Sequence, residues 1–240
     1  MTMKLSEIFA QLSYGELSQL TWGNSGSGVI DEADYARLLA PINLGLAALY
    51  KRFPLKEGRA TFLLEAGKGV YAMNSMSDVT FVDDGTDFFA DDVLKIEKVE
   101  TLEGVELGLN DASDPYGCTT PTLTTLRVPL AIAAQDSSVP AQLKTTALTI
   151  VYRANHPILT KTGASFNPSR VEVELPYAYL EGLLFFVASR VHNPIGMTNE
   201  FHMGNSYYAK YEKFCADMEL KNVMIDQGSQ NTQLERNGWV

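Results

Sequence analysis

The segment from Val171 to Leu220, VEVELPYAYLEGLLFFVASRVHNPIGMTNEFHMGNSYYAKYEKFCADMEL, constrains this chain more than any other. Val171, Val173 and Leu175 alternate with Glu172 and Glu174, the pattern of a strand with one wet face. Pro176 ends that strand. Tyr177 to Val191 then predicts a helix carrying Leu180, Leu183, Leu184, Val187 and Val191 on one side. His192-Asn193-Pro194 breaks it. In the next helix Phe201, Gly204, Tyr208, Tyr211, Cys215 and Met218 recur at alternating spacings of three and four, one continuous stripe. Such a device packs; it carries no recognisable catalytic apparatus. Phe185, Phe186, Tyr207 and Phe214 lie off these stripes, which predicts a second packing partner, either the β-region or another subunit.

The N-terminal third is also helical in pattern. Leu5, Ile8, Phe9, Leu12, Leu17 and Leu20 follow a helical period interrupted by Gly15. GNSGSG (Gly23–Gly28) reads as a flexible break. A second helix fits Asp31 to Phe53, with acids in its first turn, Lys51 and Arg52 in its last, and Pro41 expected to kink or divide it.

The middle changes character. Arg59–Ala66, Val93–Leu102, Val105–Leu109 and Ala147–Arg153 are rich in β-branched and apolar residues and read as strands. Glu103-Gly104 sits between two of them as a tight turn. In Ala147–Arg153, Leu148, Ile150 and Tyr152 alternate with Thr149, Val151 and Arg153, as for a half-buried strand. Ala112–Gln142 is rich in Pro, Thr and Ser and predicts a long loop or an irregular edge hairpin. Asn222–Val240 is polar, reads as extended, and ends in an isolated Trp239.

Charge narrows the function. The chain carries a net charge of -10. Between Asp83 and Asp114 stand eleven acids against Lys95 and Lys98, a net of -9 in that segment alone. Nucleic-acid affinity rests on neutralising phosphates with Lys and Arg, so a DNA reader is disfavoured. A surface that DNA slides past without sticking is compatible with this charge.

The candidate chemical motifs are incomplete. Gly23–Gly28 lacks the Lys of a phosphate loop, and Ser25 does not fit a nucleophile elbow. Asp83–Asp92 (DDGTDFFADD) departs from calcium-loop spacing and reads as a solvated acidic loop. His156, His192 and His202 form no metal-binding spacing. Cys215 lies on the apolar stripe and Cys118 in a loop, so neither cysteine has a metal or redox spacing. No cofactor and no metal are expected. No apolar run reaches the roughly 18 residues of a membrane helix, and the start, MTMKLSEIFAQL, lacks a signal-peptide hydrophobic region.

The order of elements carries a resemblance. Two N-terminal helices lead into LLEAGKGVYAM, then DDVLKIEKVETLEGVELGLND, then TALTIVYRANHPIL, VEVELPYAYLEGLLFFVASRV and NEFHMGNSYYAKYEKFCADM. This arrangement resembles the head-to-tail adaptor (connector) proteins of short-tailed bacteriophages, the tail tubular protein A-like group. Tyr152–Pro157 (YRANHP), Glu174–Pro176 and the paired C-terminal helices carry it most specifically. The resemblance implies an α+β chain: a helical bundle from N- and C-terminal helices, an inserted small antiparallel β-region, and an extended C-terminal arm. The corresponding segments are 1–56, 57–175, 176–221 and 222–240.

It implies a structural virion protein, not an enzyme, placed in the neck and assembled in the bacterial cytoplasm. Its partners would be the portal, the tail nozzle or tube, and itself in a ring of about twelve copies around the passing double-stranded DNA, with no membrane. On this reading Arg236, Trp239 and Val240 belong to a portal-binding arm. Phe201, Tyr208, Tyr211 and Met218 form the core or subunit stripe. Asp83, Asp84, Asp87, Asp91 and Asp92 line either the channel or an outward interface. The alternatives are another neck or tail-completion ring, a receptor-binding virion protein using the Ala112–Gln142 loop, and a hydrolase built around the histidines.

Overall fold

A computed structural model of the chain describes residues 2–20, 28–83, 89–161, 166–192 and 198–221. The fold is α+β, with helices beside antiparallel sheets. It divides into two compact units. One combines Met1–Leu55 with Ile158–Val240; the other is Lys56–Pro157.

The first unit begins with β1 (Met3–Lys4) and α1 (Leu5–Tyr14). Leu5, Ile8, Phe9 and Leu12 bury one face of α1 at the expected helical spacing. The helix stops at Gly15, whose N–H closes back on Gln11 O. The second helix, α2 (Tyr35–Arg52), starts later than expected, so Asp31, Glu32 and Asp34 precede it instead of occupying its first turn. Pro41 does not divide it. The helix runs through that residue because the missing hydrogen bond is outweighed by a buried line from Leu38 to Tyr50.

The strand expected at Val171–Leu175 is short. Only β10 (Glu172–Val173) forms, and it pairs antiparallel with β1, Met3 opposite Val173. Leu5 N–H also donates to Val171 O at 3.0 Å. Val173 and Leu175 share one core with Leu5 and Ile8, so this strand belongs with the helices. The β-rich insertion therefore ends at Pro157, not at residue 175.

After Pro176 a single 3-10 turn, Tyr177–Tyr179, leads into α4 (Leu180–Val191); the long α5 spans Thr198–Leu220. Helix α4 packs against α1, α2 and α5 together. That position explains why it is apolar on more than one side: Leu183, Phe186 and Val187 are all buried. Phe185, Tyr207 and Phe214 also pack against this unit's own core. The off-stripe aromatics are thus satisfied within the chain and do not require a second subunit.

The second unit is built on a five-stranded antiparallel sheet. Its strands are β2 (Glu57–Leu63), β4 (Phe81–Val82), β5 (Val93–Thr101), β6 (Glu106–Leu107) and β9 (Ala147–Ala154), ordered β4-β2-β9-β5-β6. Gly104 turns the chain between β5 and β6 with φ of 80°, where only glycine sits without strain. A second sheet, ordered β3-β8-β7, contains β3 (Val70–Ala72), β7 (Thr119–Thr122) and β8 (Thr125–Arg127). Phe62 of the first sheet meets Tyr71 of the second, ring centroids 5.0 Å apart, inside a core that also holds Ile96, Val99, Leu126 and Ile150.

Strand β9 is central and buried on both faces, which corrects the half-buried expectation. Arg59 pairs with Glu100 at 2.9 Å and Arg153 with Glu97 at 3.0 Å on the face bearing Val151. These paired long side chains are themselves only part-exposed, and Arg59 lies opposite Val151 in the strand register, so this face of β9 is covered and not open to water. Ala112–Gln142 is not structureless: it contains the β7–β8 hairpin and a short helix, α3 (Leu130–Ala133).

Candidate functional site

The acidic block is used largely as structure. Asp91 sits in the left-handed region with φ of 54° and accepts from Ser75 N at 3.0 Å and from Ser75 Oγ. Asp92 accepts from the Tyr152 hydroxyl at 2.9 Å and lies 3.6 Å from Lys56 Nζ. These contacts tie both carboxylates into the second unit. Asp111 and Asp114 cap turns at Ser113 and Tyr116. Asp83 is exposed, and Asp84 and Asp87 lie outside the described residues. The exposed carboxylates of this stretch that make no ion pair among the described residues include Glu103 and Glu106.

The aromatic stripe of α5 is shifted from its expected line. Tyr211, Cys215 and Met218 are buried as expected, and Gly204 lies with them. Tyr208 does not: it is 44% exposed. The nearby Glu212 carboxylate holds its phenol above the usual range. The inward position belongs to Tyr207, whose ring stacks on His192 with centroids 5.3 Å apart. The Phe201 side chain lies outside the described residues, as do Arg236, Trp239, Val240 and the whole of Asn222–Val240.

The titratable groups sequence singles out are mostly buried and structural. His156 Nδ1 lies 2.6 Å from Pro157 O, and His192 Nε2 lies 3.0 Å from Glu16 O. Burial, with Asp114 nearby, pushes the Cys118 thiol up to about 12. Burial also raises Cys215. A thiol so raised is protonated and weakly nucleophilic. Among the described residues no three His, Cys, Asp or Glu side chains group as a metal site. No described helix is long and apolar enough to cross a membrane.

One concave feature escapes sequence reasoning. A cleft of about 510 Å³ opens at the end of the β3-β8-β7 sheet, walled by Gly69, Val70, Thr119, Arg127, Pro129 and Leu130. Strand pairing makes it: Val70 registers with Arg127, and Thr119 registers with Arg127 from the other side. No motif announces it, because its walls come from three separated stretches. Chemically it offers aliphatic surface around one guanidinium, suited to an apolar group that carries a carboxylate.

Neither a protein-family model nor any curated protein matches this chain.

Proposed function

We propose that this chain is a ring-forming structural protein of a bacteriophage neck, the head-to-tail adaptor between portal and tail nozzle. One observation carries the reading. Described stretches on both sides of the β unit, 2–55 and 158–221, belong to one unit that holds α1, α2, α4 and α5, and an antiparallel β unit is inserted between Leu55 and Ile158. An inserted β unit of this kind supports the resemblance, on which α1, α2, α4 and α5 are read as the bundle. The polar chemistry supports a structural role, since buried His156, His192, Cys118 and Cys215 are occupied with packing or backbone contacts. The net charge of -10 suits a surface that double-stranded DNA passes without adhering. The segment Asn222–Val240 would reach the portal, with Trp239 as its anchor.

Native mass spectrometry of the protein mixed with the portal ring of its own phage tests this. Addition of about a dozen copies in closed cyclic symmetry is the expected result. Failure to bind under packaging conditions overturns it and favours another tail ring. Unchanged portal binding by Trp239→Ala would remove the arm assignment alone.

A further inference from the structure

We propose that the Arg127 cleft receives the Leu102–Glu103 turn of a second copy of this chain. The cleft is an apolar surface with a guanidinium in its wall. Val70 is 48% exposed and Leu130 is 57% exposed, although both are aliphatic. Arg127 is exposed and makes no ion pair among the described residues, whereas Arg52, Arg59 and Arg153 all do. An occupant must therefore present an aliphatic side chain beside a carboxylate.

The β5–β6 turn presents that pair. Leu102 is 58% exposed, and Glu103 next to it is exposed without an ion pair among the described residues. Competing positions fail on charge. Met76 and Leu220 are also exposed beside acids, but Asp78 is held by Lys68 and Glu219 by Arg52. The turn is also stiff. Gly104 N–H donates to Thr101 O at 2.9 Å, Thr101 N–H to Val105 O at 2.9 Å, and Val105 N–H to Thr101 Oγ1 at 3.2 Å. A stiff turn gives up little conformational entropy on docking.

Tip and cleft are different residues of the same unit, so a ring can use them as a heterologous contact, whereas reciprocal exchange across a two-fold axis would stop at a dimer, a distinction that native mass spectrometry reads directly. In the heterologous contact each copy offers a tip to one neighbour and a cleft to the other, and repetition closes a ring or runs on as a filament. One turn in one cleft is a small interface and weak alone; closure of a ring makes it cooperative. The inference deepens the proposed ring function by naming its subunit contact, and rests on that reading.

Charge exchange tests it on the full-length protein without portal, by sedimentation velocity and native mass spectrometry at low salt. Wild type should self-associate with rising concentration. Arg127→Glu places two carboxylates together and Glu103→Lys two cations, so each should weaken association by about tenfold or more. An equimolar mixture of the two variants, and the Glu103→Lys/Arg127→Glu double variant, should both regain it. Recovery also proves that the single variants are folded. A monomeric wild type at every concentration overturns the contact; so do single variants that assemble like wild type, or a double variant that fails to recover. Portal addition by a chain that lacks this contact would overturn only the inference, leaving the adaptor function intact.

Discussion

Gly45 on α2 stands so close to Leu183 on α4 that a Cβ at position 45 would lie 2.7 Å from Leu183 Cδ1. The same Cβ would come within 3.0 Å of Phe186 Cδ1. Both neighbours are buried, so neither has open space to move into. Alanine is the better helix former by about 1 kcal/mol, whereas overpacking a core typically costs about 1–3 kcal/mol. Gly45→Ala should therefore destabilise the protein by about 1–2 kcal/mol in urea unfolding. A rise in stability would mean that α2 and α4 are further apart than described.

Gly58 and Tyr152 form a similar close approach in the second unit. They face each other across β2 and β9, and a Cβ at Gly58 would lie 2.5 Å from Tyr152 Cζ. Gly58→Ala must displace a ring whose hydroxyl holds Asp92, and should cost about 1–3 kcal/mol. Tyr152→Phe keeps the packing but loses that hydrogen bond, and should cost about 1–2 kcal/mol. Because the ring displaced by the first change is the one altered by the second, the double variant should lose less than the sum of the singles. Additive losses in denaturant titrations would show that the two positions do not share this contact.

Local periodicity made the helices legible. Leu5, Ile8, Phe9 and Leu12 announce α1, and Leu180, Leu183, Leu184 and Val187 announce α4, because each spacing repeats with the helical turn. The Gly104 turn was legible for the same local reason. The β1–β10 ladder was not, since it joins two residues to two others across most of the chain. That Tyr207 and not Tyr208 turns toward the core was not legible, because adjacent tyrosines at 207 and 208 fit nearly the same helical spacing, and only the position of His192 selects Tyr207. The Arg127 cleft was illegible because pairing of β3, β7 and β8 assembles it from distant stretches.

Both cysteines should be silent in the native protein. Cys118 and Cys215 have no exposed surface, and burial raises both thiols. At mildly alkaline pH an aromatic disulfide reagent should titrate neither thiol rapidly in the folded chain, and both after unfolding in guanidinium. Fast stoichiometric labelling of either one without denaturant would contradict the described burial.

Acid should loosen the link between α2 and α5. Arg52 donates to Glu212 at 2.8 Å and to Glu219 at 2.7 Å, bridging the end of one helix to the other. The side-chain hydrogen bond from Arg52 holds the Glu219 carboxyl below its ordinary value of 4.5. Lys4 does the same for Glu172, and Lys68 for Asp78. On unfolding these carboxyls regain their ordinary affinity for protons, so between the depressed and the ordinary values the unfolded chain binds more protons than the folded one. Their contribution is present above about pH 4.5 and disappears as pH falls through the depressed values. The urea midpoint should hold steady from neutral pH to about 5 and decline below about 4. Arg52→Gln should lower the midpoint at neutral pH and flatten that decline, because Glu219 then titrates alike in both states. High salt should shrink the difference between wild type and variant, since these partners are part-exposed and screened. A variant with an unchanged acid slope would show that Arg52 contributes nothing to joining the two helices.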